Sequence, residues 1–403
     1  MTQRILIIGA GFGGMWAALA AARALDLAGK TDGSIEIAVV APEATLGIRP
    51  RYYEADPGSM AAPIGELLEV AGVRFIAGKV ERIRTGLREV DIIGADGRSS
   101  SLGYDRLVLA SGSSLANPNL PGLKAHAFNV DQRDEAVILE THLRLLAGRP
   151  ADASRNTVVV VGGGFTGIET AADMPSRVRA VLGAQADVRV VLVERAEQIG
   201  PELGAGPRPV ILQALEHDGV VVRLGASVTQ VDEGGVNLSN GERIAASTVV
   251  WTAGPVASAL TQQVPGRRDA LGRLHTATDL RVDGVEHVFA AGDVALAKTD
   301  DLGHHASMSC QHAMSLGRSA GHNAACDLLG QPTRPYRQEK YVTCLDLGPW
   351  GAVLTEGWDR KVVLQGVEAK QLKQQINSVW IYPPPAIRAE ALAAADPARL
   401  VVA

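Results

Sequence analysis

Two glycine clusters are the residues whose types and spacing could do chemistry. Gly9, Gly11 and Gly14 follow the spacing G-x-G-x-x-G, and Gly162, Gly164 and Gly167 repeat it. In such a cluster the first glycine permits a tight turn. The second lets the backbone approach a pyrophosphate, and the third lets a helix pack closely on a strand. A helix opening there offers free N–H groups and the positive end of its dipole to phosphate. Phe12, Phe165 and Thr166 occupy the positions between the glycines. The net charge is −5, so phosphate must be held by local dipoles and not by a general basic field. That balance also gives no reason to propose nucleic acid as a partner.

A dinucleotide site of this kind expects an acid after the following strand, to accept from a ribose hydroxyl. Glu194 stands there in the second unit, at the end of VRVVLVE, and it favours a nucleotide without a 2′-phosphate. Arg195 beside it pulls the other way. In the first unit the strand ends at Ala41-Pro42 and the nearest acid is Glu43. Either Glu43 reaches back to the adenosine ribose, or that contact is missing.

The elements that must hold these loops are legible as patterns. RILIIGAGFGGMWAALAAARAL (4–25) and TVVVVGGGFTGIETAADM (157–174) each read as strand, glycine turn and helix. Each is followed by another β-rich run, which makes a βαβ unit twice over and implies parallel sheets. Short strands are expected at Val73–Ala77 and Glu89–Ile93, and a buried one at Arg106–Ser113. The turn-rich segment Asn117–Gly122 marks a crossing between domains, and a helix follows at Arg133–Leu146. Further runs are Thr248–Gly254, His287–Asp293 and a helix near Ser309–Leu329. Strands at Tyr341–Leu347 and Gly351–Thr355, a mixed helix at Val367–Tyr382 and a Pro-rich tail close the chain.

Composition bounds the rest. The chain has 403 residues, 46% hydrophobic and 21% charged, ordinary for a globular protein of two or three domains. Its three cysteines, Cys310, Cys326 and Cys344, imply no disulfide framework. No signal peptide is read at the N-terminus, and no apolar run reaches the ~20 residues of a membrane span. The expectation is a cytoplasmic protein, or one peripheral at the inner face of a membrane.

The ordered set of fingerprint, LASGS, second fingerprint, WTAG and AAGD resembles the two-dinucleotide-binding-domain flavoproteins over residues 1–330. These include glutathione reductase, ferredoxin reductases, sulfide:quinone oxidoreductase and type II NADH dehydrogenase. The resemblance implies an α/β fold with two Rossmann-like domains and a smaller α+β C-terminal domain. Its parts are residues 1–115 and 266–330 for FAD, 116–265 for NAD(P)H, and 331–403 for the C-terminal interface. It implies FAD on the first unit and NADH, with NADPH disfavoured, on the second. By the same resemblance Asp293, after Gly292, meets the FAD ribityl chain. Ala110, Ser111 and Gly112 cross near the cofactor, Val80 meets adenine, and Ala253 and Gly254 belong to the WTAG segment.

Residues 40–60 lack the cysteine pair of the disulfide reductases. GIRPRYYEADPG (47–58) is similar instead to the type II NADH dehydrogenase segment, where Pro50 approaches the isoalloxazine with Arg51 nearby. Glu169 matches an acid beside the nicotinamide. The quinone motif A-Q-x-A-x-Q-Q-G appears here as CQHAMSLG, in which Gln311, Ala313 and Gly317 match and Ser315 and Leu316 replace the paired glutamines. The helix from Ser309 would aim its N-terminus at the flavin.

His304, His305 and His312 could supply protons to a reduced acceptor. No metal site is expected. Cys310 and Cys344 are read as small buried residues, not as a redox pair. Lys370, Lys373, Val379 and Trp380 on the last helix suit a membrane surface, a homodimer interface or the core. The acceptor expected is a quinone. The alternatives are sulfide:quinone-like chemistry, a small acidic carrier protein meeting Arg49, Arg51 and Lys340, or a flavin-binding regulatory protein without turnover.

Overall fold

The computed structural model describes residues 2–116 and 118–401. Asn117, the first residue of the expected crossing, lies outside them. The chain begins with β1 (Gln3–Ile8), α1 (Phe12–Leu27), β2 (Ile35–Ala41) and β3 (Val73–Arg84). It continues with β4 (Glu89–Gly94), β5 (Ser99–Gly103), β6 (Arg106–Leu109) and α2 (Arg133–Leu145). A second unit follows as β7 (Thr157–Val161), α3 (Phe165–Leu182), β8 (Arg189–Val193), α4 (Arg208–His217), β9 (Val220–Arg223) and β10 (Thr248–Trp251). The chain then returns through β11 (Val288–Ala290) and α5 (Cys310–Leu328). It ends with β12 (Val342–Asp346), β13 (Ala352–Glu356), β14 (Lys361–Gly366), α6 (Val367–Gln375) and α7 (Arg388–Ala394).

The first sheet has the order β11-β6-β1-β2-β3-β4-β5, the second β9-β8-β7-β10, and the third β12-β13-β14. The pairs around β1 and around β7 are all parallel. Such strands are covered on both faces, which is why Ile5–Ile8 and Val158–Val161 read as unbroken apolar runs and are buried. Both glycine loops leave the carboxyl ends of the strands at the centre of their sheets, where open α/β sheets bind ligands.

α1 is buried on nearly every side because α5 lies against it. A Cβ at Gly317 would collide with Gly13 O, and one at Gly321 with Ala17 O, so only glycine allows the two helices to approach this closely.

The structure extends beyond the sequence pattern in several places, β5, α4 and β9 among them. β3 runs on to Arg84 through a bulge near Val80, because its outer half pairs with β4 and not with the parallel core. β14 carries a weak apolar signal, because its residues alternate between exposed and half-buried. The Pro-rich tail contains α7, held to α1 by the pairs Arg388–Asp26 and Arg23–Asp396. No described helix is long and apolar enough to cross a membrane.

Candidate functional site

At the first loop Gly9 has φ +107°, and a Cβ there would collide with Ala110 O. A Cβ at Gly14 would collide with Gly9 O, so the first turn of α1 rests on the loop. Gly11, the N-cap of α1, has nothing within 4 Å of its Cβ position. Phe12 is buried behind it. Gly112, at φ +68°, is equally open, and the neighbouring Ser111 Oγ is buried with no partner. Gly292 packs against Ala313, whose Cβ lies 3.5 Å from its Cβ position. The open face, the orphaned hydroxyl and the helix N-terminus fit a bound pyrophosphate and its attached chain.

Asp293 accepts from Ser113 Oγ at 2.6 Å and from Arg49 Nη1 at 3.2 Å. Arg49 also pairs with Asp131, from the segment entering the second unit. The arginine at Asp293 is Arg49. Arg51 is tied to Glu54 at 2.8 Å and to Tyr382 Oη at 3.3 Å. Pro50 lies between them in a single 3₁₀ turn, Arg49–Arg51, which turns the two guanidinium groups to different partners. Glu43 is largely exposed and pairs with Arg133 at 3.1 Å. Val80 is buried in β3, paired with Ile92.

The second loop repeats the backbone but not the surroundings. Gly162 has φ +112°, its Cβ position 3.0 Å from the Ala253 side chain, and a Cβ at Gly167 would collide with Gly162 O. Gly164, the N-cap of α3, faces Glu202, whose Oε1 lies 3.0 Å from its Cβ position. Glu194 is buried and braces the loop. Its Oε2 accepts from Gly163 N at 2.6 Å and its Oε1 from Ala196 N at 2.8 Å. Arg195 and Thr166 are exposed and Phe165 is half-buried. Gly254, at φ +80°, accepts through its carbonyl from Ala116 N at 2.7 Å.

One turn along α3, Glu169 is buried in contact with the C-terminal sheet. Its Oε1 accepts from Lys373 Nζ at 2.7 Å and from Asp346 N at 3.0 Å. Lys373 also donates to Cys344 O at 3.0 Å, and its Nζ lies 5.5 Å from the centre of the Phe165 ring. Lys370 pairs with Asp346. Burial pushes the Glu169 carboxyl up to about 7, with Lys373 opposing and Asp346 adding to it. Burial works against the Lys373 charge, yet its carboxylate neighbours outweigh that and hold it above the ordinary lysine value. Lys373 is thus no part of a membrane face, because its charge is satisfied inside. Nothing in the sequence pairs residues 169 and 373, since the sheet that joins them is assembled from remote strands.

Ser309 caps α5, and no acid sits in its first turn to offset the dipole. Gln311 joins α5 to β12. Its Nε2 donates to Val342 O at 3.2 Å, and its Oε1 accepts from Gln338 Nε2 at 3.2 Å. The expectation that His312 meets the cofactor and supplies protons is corrected. His312 is fully buried, with Ser307 Oγ and Ser309 Oγ at 3.0 and 3.1 Å from Nδ1. Burial pushes it down to about 3, so it is neutral at ordinary pH. Burial likewise pushes the Cys310 and Cys344 thiols up to about 11, which keeps them protonated near neutral pH.

Two sheets with parallel centres and glycine loops at the carboxyl ends of those central strands define a protein with two dinucleotide-binding units. The chain belongs to the pyridine nucleotide-disulphide oxidoreductase family, whose model matches residues 3–317. It is 50% identical over 403 residues to an NADH dehydrogenase-like protein of Mycobacterium tuberculosis (strain H37Rv), covering 98% of each chain. It is 31% identical to the demethylphylloquinone reductase of Synechocystis, covering 87% of this chain and 86% of that one. A solved NDH2 from Plasmodium falciparum, determined in complex with NADH, superposes with a TM-score of 0.77 at 13% identity. It covers 98% of this chain and 97% of that one, and shows the shared fold. The protein is accordingly an enzyme, an oxidoreductase working with FAD and a pyridine nucleotide.

Proposed function

We propose that this chain oxidises NADH and passes the electrons, through resident FAD on the first loop, to a quinone. Bound FAD supplies the electron-carrying chemistry, and the protein supplies binding, orientation and charge. Gly9, Gly11 and Gly14, with the N-terminus of α1, hold the FAD pyrophosphate. Asp293 and Ser111 meet the polar groups beyond it. The second loop takes the nicotinamide nucleotide, and Glu194 beside it opposes a 2′-phosphate, which favours NADH. The relatives' names agree with this reading.

The observation that carries it is the buried Glu169–Lys373 pair, which ties the first turns of α3 to β12, the strand that Gln311 also holds. Quinone reduction takes up protons as well as electrons. A carboxyl poised at about 7 can hold or release a proton at Oε2 near neutral pH, because Oε1 already accepts from Lys373 and Asp346 N, and Lys373 steadies the charged form. A small acidic carrier protein is disfavoured, because Arg49 and Arg51 are both committed to carboxylates. Val379 and Trp380 are exposed at 61% and 43%, which suits contact with a membrane that stores the quinone. Liposome flotation checks that contact.

Anaerobic NADH should bleach the bound flavin, and a soluble quinone should restore its colour faster than ferredoxin, oxygen or sulfide. A fully loaded flavin that NADH leaves oxidised would overturn the proposal.

A further inference from the structure

The turn between β13 and β14 reaches onto the second unit. Arg360 in it adopts φ +57°, a strained conformation for an arginine. A Cβ at Gly206 would collide with the Arg360 carbonyl, and the Arg360 side chain lies 3.5 Å from the Cβ position of Gly204. Its Nη2 donates to Glu202 O at 3.5 Å. The guanidinium sits over the Tyr341 ring, 4.4 Å from its centre. Tyr341 packs on Trp358 at 4.5 Å, and Trp358 stacks on His304 at 4.6 Å with the two rings nearly parallel. This stack fixes where the arginine points.

Arg360 is 8% exposed. Its Nη1 has no hydrogen-bond partner, and among the described residues no carboxylate lies within ion-pair distance of it. A buried guanidinium without an anion is costly, and one orphaned N–H adds to the cost. The loop it packs on is the one whose Glu202 carboxylate covers Gly164 at the start of α3. A negative group thus already stands where the glycine spacing places phosphate, and the Arg360 guanidinium reaches the main chain of the same residue.

We propose that Arg360 is an anion ligand for the pyrophosphate of the nicotinamide nucleotide, supplied to the second loop by the C-terminal unit. The nucleotide displaces the exposed Glu202 carboxylate from Gly164, and its phosphate oxygens take up the free Nη1. The planar guanidinium suits phosphate, and the aromatic stack holds it ready. The inference rests on the reading that the second loop binds NADH.

The test is NAD⁺ binding to the FAD-loaded enzyme, since NAD⁺ does not reduce the flavin. Arg360→Gln should weaken NAD⁺ and ADP-ribose by about tenfold or more, with FAD content unchanged. Arg360→Lys should recover part of that loss, which a purely structural role would not predict. Equal NAD⁺ affinity in wild type and Arg360→Gln would overturn the assignment. Wild type that binds no NAD⁺ would instead sink the reading of the second loop. Should Arg360→Gln not fold, hydrogen exchange on wild type decides: NAD⁺ should slow exchange at 357–361, and unchanged exchange there counts against the proposal.

Discussion

The two glycine loops share a spacing and a backbone, yet they are walled differently. Around the first, the close neighbours are main chain: Ala110 O at Gly9, and Ala291 O at 3.4 Å from the Cβ position of Gly13. α5 locks α1 over it through Gly317 and Gly321. Around Gly163 and Gly164 of the second, the close neighbours are side chains of Glu194, Ile199 and Glu202. Main chain cannot step aside, whereas an exposed glutamate can. A rigid cradle suits a cofactor that stays, and a cradle with a movable wall suits a substrate that comes and goes.

The largest effect should come where the two loops are alike. Gly14→Ala and Gly167→Ala each drive a Cβ into a carbonyl of their own turn, Gly9 O and Gly162 O. Each should cost about 3 kcal/mol or more and lower soluble yield. Thermal melts showing wild-type stability in either variant would mean that the loop relaxes freely.

Next comes the tether of the second loop's helix. Lys373→Met leaves Glu169 buried without its cation and should cost about 3 kcal/mol. Urea titration measures this.

A smaller effect separates the loops. Gly11→Ala meets open space in the protein, so the apo form should melt as wild type while FAD affinity falls. Gly164→Ala presses only on the end of Glu202, so FAD retention should be unchanged and NAD⁺ affinity reduced. Equal loss of both ligands in both variants would mean that the two loops are walled alike.

The smallest expected effect is on pH dependence. The folded Glu169 has its pKa raised above 4.5 to about 7, so the folded state binds more protons in that window. Its contribution is full below about 4.5 and is lost as pH rises through about 7. Glu169→Gln should flatten that fall in a stability-against-pH profile. An unaltered profile would show that Lys373 keeps the carboxyl ionised throughout.

The sequence by itself determined the two βαβ units and their loops, because strand, glycine turn and helix are local patterns with short-range causes. The resemblance singled out Asp293 and Glu169, and the local pattern marked the start of α5. Only the tertiary structure decided what those residues touch. It put Arg49 on Asp293 and buried His312. It spent both oxygens of Glu194 on backbone N–H groups and joined Glu169 to Lys373. It also set Arg360 against the loop that carries Glu202. The physical reason is sequence distance. Periodicity and propensity report a residue's own element, while charge pairing and burial depend on which remote elements the fold stacks against it.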